Sequence, residues 1–176
     1  MKKIVSLVVV LVATSAFAGN LSFESGSIKA HTEVFGDSSI DPVTKKIVSA
    51  LSMDKDPSTL KGSVEASMLD LISDNKKRDE HMRETMECDR FHMAVFDIKE
   101  VVAKGGDNVL LKGSMNLHGV TKPMSFEGTI TEEASKVRIK AKSSLKMSDF
   151  GITPPKMVFL SVRDQVDLNV DISLKR

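Results

Sequence analysis

Two segments near the carboxyl end of the chain alternate strictly between apolar and polar residues, and this pattern constrains the fold more than any other feature. In residues 137–143, Val, Ile and Ala alternate with Arg and Lys; in residues 166–174, aliphatic residues alternate with Asp, Asn and Ser. Because successive side chains of a strand point to opposite faces, each segment predicts a strand with one apolar and one solvated face. Such strands are typical of antiparallel sheets.

Weaker alternation and turn residues predict further strands. The Gly-Gly-Asp sequence within residues 104–108 predicts a hairpin turn, since Gly adopts positive φ at little cost. Residues 131–136 predict a second polar turn, and Asp41-Pro42 a third. About seven or eight strands in a chain of this length indicate one barrel or sandwich. The further strands are expected near residues 29–35, 46–53, 62–72, 94–98, 109–117 and 124–130.

Residues 74–88 depart from this pattern. They contain no Gly or Pro and no period-two alternation, so we predict one short helix here. Asp74 is a suitable N-cap, and Met82 and Met86, four residues apart, lie on one face of the helix. The predicted fold class is therefore all-β with one short helix.

The first eighteen residues have the layout of a cleaved export signal. Lys2 and Lys3 precede an aliphatic run over residues 4–12, and Ala16-Phe17-Ala18 offers the small residues that a signal peptidase reads. The run is too short to span a bilayer, although a retained anchor is the alternative. We expect residues 1–18 to be removed and residues 19–176 to form one periplasmic or secreted domain.

The composition of the chain limits the kinds of molecule that it is expected to bind. The formal net charge is +1, so nothing predicts nucleic-acid binding or an electrostatic membrane surface, and no second apolar run predicts a stable membrane span. Cys88 is the single cysteine, which excludes an intramolecular disulfide and leaves a buried small residue, a reactive thiol or a disulfide-linked homodimer. With ten Met, eight Phe and no Trp or Tyr, the chain predicts a deformable apolar interior.

Motifs for catalysis are missing from the sequence. It has no Gly-x-Ser-x-Gly, phosphate loop or His-Glu-x-x-His, and its four His residues lack metal-ligand spacing. The densest polar cluster is Arg78-Asp79-Glu80-His81, which on a helix places Arg78 and His81 on one face with Met82. That face either meets a polar head group at a pocket mouth or is a solvated helix start. We predict no catalytic residue, metal or cofactor.

Residues 113–126, Gly-Ser-Met-Asn-Leu-His-Gly-Val-Thr-Lys-Pro-Met-Ser-Phe, resemble the signature of the YceI-like family of exported, lipocalin-like polyisoprenoid-binding proteins. The order and spacing of the matching segments extend over nearly all of residues 19–176. Departures occur at residues 23–28, at Glu87-Cys88 and at Phe91-His92, where many members have Asp-x-x-His-Ser, paired aromatics and Tyr-Pro. Further matching segments are residues 78–82, Gly36 with Asp41-Pro42, residues 149–152 with Pro155, and residues 164–166.

The resemblance implies an extended eight-stranded antiparallel barrel around an apolar tunnel for a long isoprenoid chain, such as a quinone or polyprenyl lipid. It implies a carrier or store rather than an enzyme. We expect Met82 and Met86 to close the tunnel and Arg78 and His81 to meet the head group. The expected lining residues are Met68, Phe96, Ile98, Met115, Leu117, Phe126, Ile139, Phe150, Phe159 and Leu168.

Two alternatives remain open at this point. One is a barrel filled by its own side chains that acts as a structural or partner-binding module. The other is an enzyme acting on a lipid-like substrate, which a cleft gathering His81, His118 and Asp149 would indicate. An internal cavity and the positions of these three residues distinguish the alternatives.

Overall fold

The computed structural model describes residues 19–34, 39–157 and 160–176 of the chain. The predicted export signal, Gly36 of the family resemblance and the predicted lining residue Phe159 lie outside the described residues. None of the helices in the described part is long and apolar enough to cross a membrane.

Eight long strands in the described residues form a closed antiparallel barrel, as predicted. Each strand pairs with the next one along the chain, and the last pairs with the first, so the barrel has up-and-down topology. One helix, α1 (Lys76–Thr85), lies between the third and fourth strands. The strands are β1 (Gly19–Glu33), β2 (Ile47–Met53), β3 (Lys61–Ser67), β4 (Met93–Gly105), β5 (Asn108–Leu117), β6 (Val120–Glu133), β7 (Lys136–Lys146) and β8 (Gln165–Lys175).

Shorter elements close the two ends of the barrel. The two-residue strands Ser39–Ile40 and Val43–Thr44 pair with the carboxyl-terminal half of β1, and Lys156–Met157 pairs with Leu160–Ser161. A 3-10 turn, Pro57–Thr59, joins β2 to β3, and a second, Met147–Phe150, follows β7.

The two strictly alternating segments lie in β7 and β8, which are hydrogen-bonded to each other along their whole length. Ile139 stands opposite Ile172, and all four of the residues Val137, Ile139, Ile172 and Leu174 are at most 2 % exposed. On the outer face Arg138 donates two hydrogen bonds to Asp171, of 2.9 and 2.8 Å, and this guanidinium lowers the pKa of the Asp171 carboxyl. The period-two pattern thus separates core from solvent.

The most specific sequence motif forms a two-residue hairpin turn. His118 and Gly119 connect β5 to β6 with φ values of +53° and +74°. Positive φ at both central positions is the geometry of a type I′ turn, whose twist matches that of the flanking strands. The Gly119 position also requires glycine because a Cβ atom there would stand 2.7 Å from the Phe91 ring.

Helix α1 begins one residue later than predicted. Asn75 is the N-cap, and its side chain accepts a 3.2 Å hydrogen bond from the Arg78 backbone N–H, whereas Asp74 lies beside the Arg78 guanidinium at 3.5 Å. The helix ends at Thr85 rather than at residue 88. Asp79, only 3 % exposed, accepts hydrogen bonds from the Ser73 backbone N–H and hydroxyl at 2.9 and 2.6 Å, which ties the first turn to the preceding loop.

Candidate ligand-binding site

The barrel encloses an apolar cavity of about 660 Å³ beneath helix α1. Inward-facing residues of β1 and β3 to β8 form its wall, and residues of α1 lie at its mouth. Small residues make the space: Ala30, Ala66, Ala94 and Ala141 all line it. A barrel of eight strands either fills with side chains or holds one small ligand, and this one leaves room for a ligand.

Most of the predicted ligand-binding residues come together around this cavity. Phe150 does not line it: the residue is 3 % exposed and packed in the 3-10 turn Met147–Phe150, while its neighbour Met147 takes the lining position. Phe159 lies outside the described residues. That the others bind a ligand stays a prediction. The predicted residues that line the cavity are Met68, Arg78, His81, Met82, Met86, Phe96, Ile98, Met115, Leu117, Phe126, Ile139 and Leu168.

Sequence reasoning missed lining residues on several strands, and those of β8 and β1 show why. Val166, Val170 and Ile172 share a strand face with Leu168, so the alternation of residues 166–174 contained the signal for them. The β1 lining residues, Ala30 and Thr32 among them, carried no such signal because β1 has few large apolar residues on either face.

The mouth of the cavity is polar, and its two predicted head-group residues differ in how they are held. Arg78 is 28 % exposed and donates a hydrogen bond of 3.3 Å to the Ser39 carbonyl, so it ties α1 to the segment opposite. His81 is 78 % exposed and its nearest charged partner is Glu84 at 3.7 Å. Arg78 therefore has a defined position, whereas His81 stands in solvent.

A second cluster, which we call the rim cluster, joins β1 to the segment that follows it. His31 Nδ1 lies 2.8 Å from Asp41 Oδ1, and Lys29 Nζ lies 3.0 Å from the same oxygen. The hydrogen bond to His31 and then that to Lys29 lower the pKa of the Asp41 carboxyl to about 2, and the bond to Asp41 raises the pKa of His31. Because Pro42 lines the cavity, this cluster positions part of its wall.

His118 contacts the segment that follows α1 and does not line the cavity. Its Nδ1 lies 3.2 Å from the Phe150 carbonyl, its Nε2 lies 3.5 Å from Glu87 Oε2, and its ring packs against Phe91 with centroids 4.4 Å apart. Neither His118 nor Asp149 lines the cavity that His81 borders. The cleft that would indicate an enzyme is therefore not assembled at this cavity.

Cys88 is buried, and the described residues contain no cluster suited to a metal ion. Cys88 is 1 % exposed with its Sγ 3.7 Å from the Met68 carbonyl, and burial raises the pKa of its thiol. These properties favour the buried small residue over the reactive thiol. Within the described ranges, no group of three or more His, Cys, Asp or Glu is placed to hold a metal ion.

The sequence profile of the YceI-like domain matches residues 13–174. The chain belongs to the YceI-like family. Among curated relatives, a "UPF0312 protein" of Yersinia pestis is 30% identical over 108 residues, which is 57% of this chain and 56% of the relative. A "UPF0312 protein" of Serratia proteamaculans is 29% identical over the same coverage. The chain thus matches little more than half the length of these relatives.

Solved structures of this YceI-like fold agree with the barrel. The crystal structure of BcnA from Burkholderia cenocepacia gives a TM-score of 0.76 at 12% identity, over 84% of this chain and 95% of that one. A polyisoprenoid binding domain from Saccharophagus degradans gives 0.70 at 10% identity, over 89% and 97%. At these identities the similarity establishes the fold.

Proposed function

We propose that this YceI-like protein binds a long-chain isoprenoid lipid, of the polyprenyl or isoprenoid-quinone type, in its barrel cavity and acts as a carrier or store without catalysing a reaction. The observation that carries the proposal is a cavity of about 660 Å³, open at a mouth beside α1, whose wall is built mainly from aliphatic, Met and Phe side chains. A cavity with such a wall suits an apolar chain and offers little to a polar substrate.

The polar groups of the cavity are arranged for a binding role. Thr44, 1 % exposed, accepts a hydrogen bond of 3.1 Å from the Lys46 backbone N–H, and Thr32 lies 3.0 Å from two backbone carbonyl oxygens of the Arg163–Gln165 segment. The charged lining residues, Arg78 among them, lie on α1 and at the mouth. The wall therefore presents an apolar surface to a ligand tail while a head group at the mouth stays in contact with water.

Energetics favour recognition through the tail. Burying one CH₂ group gains about 0.8 kcal/mol, so a five-carbon isoprene unit gains roughly 3–4 kcal/mol before the cost of ordering the chain. An ion pair with an exposed group such as His81 contributes about 1 kcal/mol or less. Flexible lining residues such as Met68 and Met115 adapt to the methyl branches of an isoprenoid.

Two further considerations support the proposal. The Saccharophagus degradans protein with the same fold is described as a polyisoprenoid binding domain. The sequence of residues 1–18 is suited to export, and we propose that the protein works in the periplasm or outside the cell, where a soluble carrier shields an isoprenoid tail from water.

The test compares two aspartate substitutions on opposite faces of the barrel wall. Phe126, 4 % exposed, lines the cavity, whereas Lys140 projects outward from β7. Mass spectrometry of an organic extract of the purified protein should show an isoprenoid lipid in the wild type and in Lys140→Asp, and none in Phe126→Asp. Circular dichroism checks that both variants fold.

A milder variant covers the case in which Phe126→Asp does not fold. Met115→Gln places an uncharged polar group in the same wall, and we expect it to lower the lipid content while the barrel persists. An extract of wild-type protein that holds no lipid, with no isoprenoid binding when one is added back, would contradict the proposal.

A further inference from the structure

The cavity ends part-way along five neighbouring strands. The deepest lining residue is Ile98 on β4, Leu111 on β5, Phe126 on β6, Ile139 on β7 and Ile172 on β8. Leu111 is paired with Phe126, and Ile139 with Ile172, whereas Leu111 also pairs with Val101 and Ile139 with Ile130, so the lower boundary of the cavity is staggered from strand to strand. We call these five residues the floor.

A second layer of side chains fills the barrel beneath the floor. Below the floor, β4, β5, β7 and β8 continue inward with Val101, Val109, Val137 and Leu174, and β6 continues with Gly128 and then Ile130. These five larger residues are each at most 7 % exposed, and none of them lines the cavity. Met53 and Leu60, at 0 and 2 % exposed, lie at the same end beside the 3-10 turn Pro57–Thr59. The lower part of the barrel is therefore a packed core.

An aromatic pair braces the floor. The rings of Phe96 and Phe126 are 4.7 Å apart and inclined at 58°. A Cβ atom at Gly113 would stand 3.0 Å from the Phe96 Cζ, so the missing side chain of Gly113 makes room for the ring. Tilted aromatic pairs at this distance attract each other, and the pair resists displacement by an entering chain.

The volume of the cavity above the floor determines how long an isoprenoid tail it can hold. If a ligand atom takes about 30 Å³, the share of a molecule in liquid water, a cavity of about 660 Å³ holds about 20 heavy atoms. That number corresponds to about four isoprene units. We propose that the floor limits the enclosed tail to about four isoprene units and that Phe126 sets this limit. The inference rests on the proposed function and names the tail length that it takes.

The experiment measures affinity against tail length. Isoprenoid alcohols of two, three, four, six and eight units compete with a bound apolar fluorophore, which is needed because the chain has no Trp or Tyr of its own. Affinity should rise by roughly fivefold or more with each unit up to four, and change by less than about twofold from four to eight, since later units stay outside the cavity.

Two variants move the limit in opposite directions. Phe126→Ala removes six ring carbons from the floor, about one isoprene unit, so the plateau should begin near five units. Ala141→Leu adds three carbons to the wall, so the four-unit alcohol should lose its roughly fivefold advantage over the three-unit alcohol. Ile130→Val, at a buried position on β6 that does not line the cavity, is the matched control and should leave the plateau at four units.

The outcomes separate the two proposals. If alcohols of every length fail to bind, the proposed function is wrong. If they bind and affinity rises steadily to eight units in the wild type, the floor is not the limit and this inference is overturned. A plateau that Ala141→Leu leaves in place overturns it as well, and that variant decides the matter even if Phe126→Ala does not fold.

Discussion

The two ends of the same barrel differ in what their inward side chains meet. In the closed half, residues such as Ile130, Val137 and Leu174 are at most 2 % exposed and pack against one another. In the mouth half the inward residues include Ala94 and Ala141, and the strands surround a cavity under α1. One set of strands thus provides a packed core at one end and a binding space at the other.

This difference indicates a division of roles along the strands. A packed interior gains both transfer free energy and dispersion contacts, whereas a cavity wall lacks partner atoms on one side. We therefore expect the closed half to supply most of the stability of the barrel and the mouth half to determine what it binds. Parts of one domain often differ in local stability in this way.

The largest effect is expected from truncating the closed half. Leu174→Ala, at a position 0 % exposed, should lower the free energy of unfolding by about 3 kcal/mol because it opens a new cavity in a packed layer. Leu168→Ala, on the same face of β8, should lower it by about 1 kcal/mol because it only enlarges an existing space. Urea unfolding of both variants measures the difference. Equal losses would show that the two halves contribute alike.

A smaller effect is expected at the hairpin turn that supports the helix from outside the cavity. His118→Ala removes the ring contact with Phe91 and places an alanine, which has no polar side chain to stabilise a positive φ, at φ +53°. The free energy of unfolding should therefore fall by about 2 kcal/mol. Because His118 does not line the cavity, the affinity for an isoprenoid alcohol should stay within about twofold of wild type. Thermal unfolding and the displacement assay check the two parts. A large loss of affinity with unchanged stability would place His118 in the binding site.

The smallest effect is expected at the rim cluster, and it depends on pH. The pKa of His31 is raised above its ordinary 6.5, so the stabilisation from its charge is complete below pH 6.5 and is lost as pH rises through the raised pKa. The pKa of Asp41 is lowered from 3.8 to about 2, so its contribution is complete above pH 3.8 and is lost as pH falls through about 2.

The free energy of unfolding of the wild type should therefore exceed that of His31→Gln most between pH 3.8 and pH 6.5. The difference should be less than about 1 kcal/mol because the His31–Asp41 pair is partly exposed. Unfolding both proteins in urea at about pH 5 and about pH 8 measures the margin. A margin that grows towards pH 8 would contradict the assigned charge pair.

The parts of the fold that were predicted correctly depend on local pattern. The alternation in residues 137–143 and 166–174 predicted β7 and β8 together with their inward faces, because a strand has a side-chain period of two whatever it pairs with. The Gly-Gly-Asp turn was likewise confirmed between β4 and β5. The helix start was misplaced by one residue because Asp74 and Asn75 are both good caps and only the Asn75 side chain reaches the Arg78 N–H.

The candidate site was predicted less completely. Phe150 was expected to line the cavity, but it follows β7 in a 3-10 turn, where no alternation indicates which side chain points inward. Residues of β1 were missed because Ala and Thr line the cavity there, and small residues look the same on either face of a strand. Alternation placed large residues such as Leu168 and Ile139 on the cavity wall, whereas the small residues that make the space gave no such signal.

The local pattern of the sequence determined that this chain forms antiparallel, alternating strands with one helix, because those features depend on neighbouring residues; it left barrel and sandwich open, and the family resemblance implied the barrel. Only the tertiary structure decided that the barrel is hollow at one end and packed at the other. The difference depends on how the volumes of inward side chains sum at each level of the barrel, across strands as distant in sequence as β1 and β8. The part of the barrel that Ala66, Ala94 and Ala141 line leaves room for a ligand, and the part around Val137 and Leu174 does not.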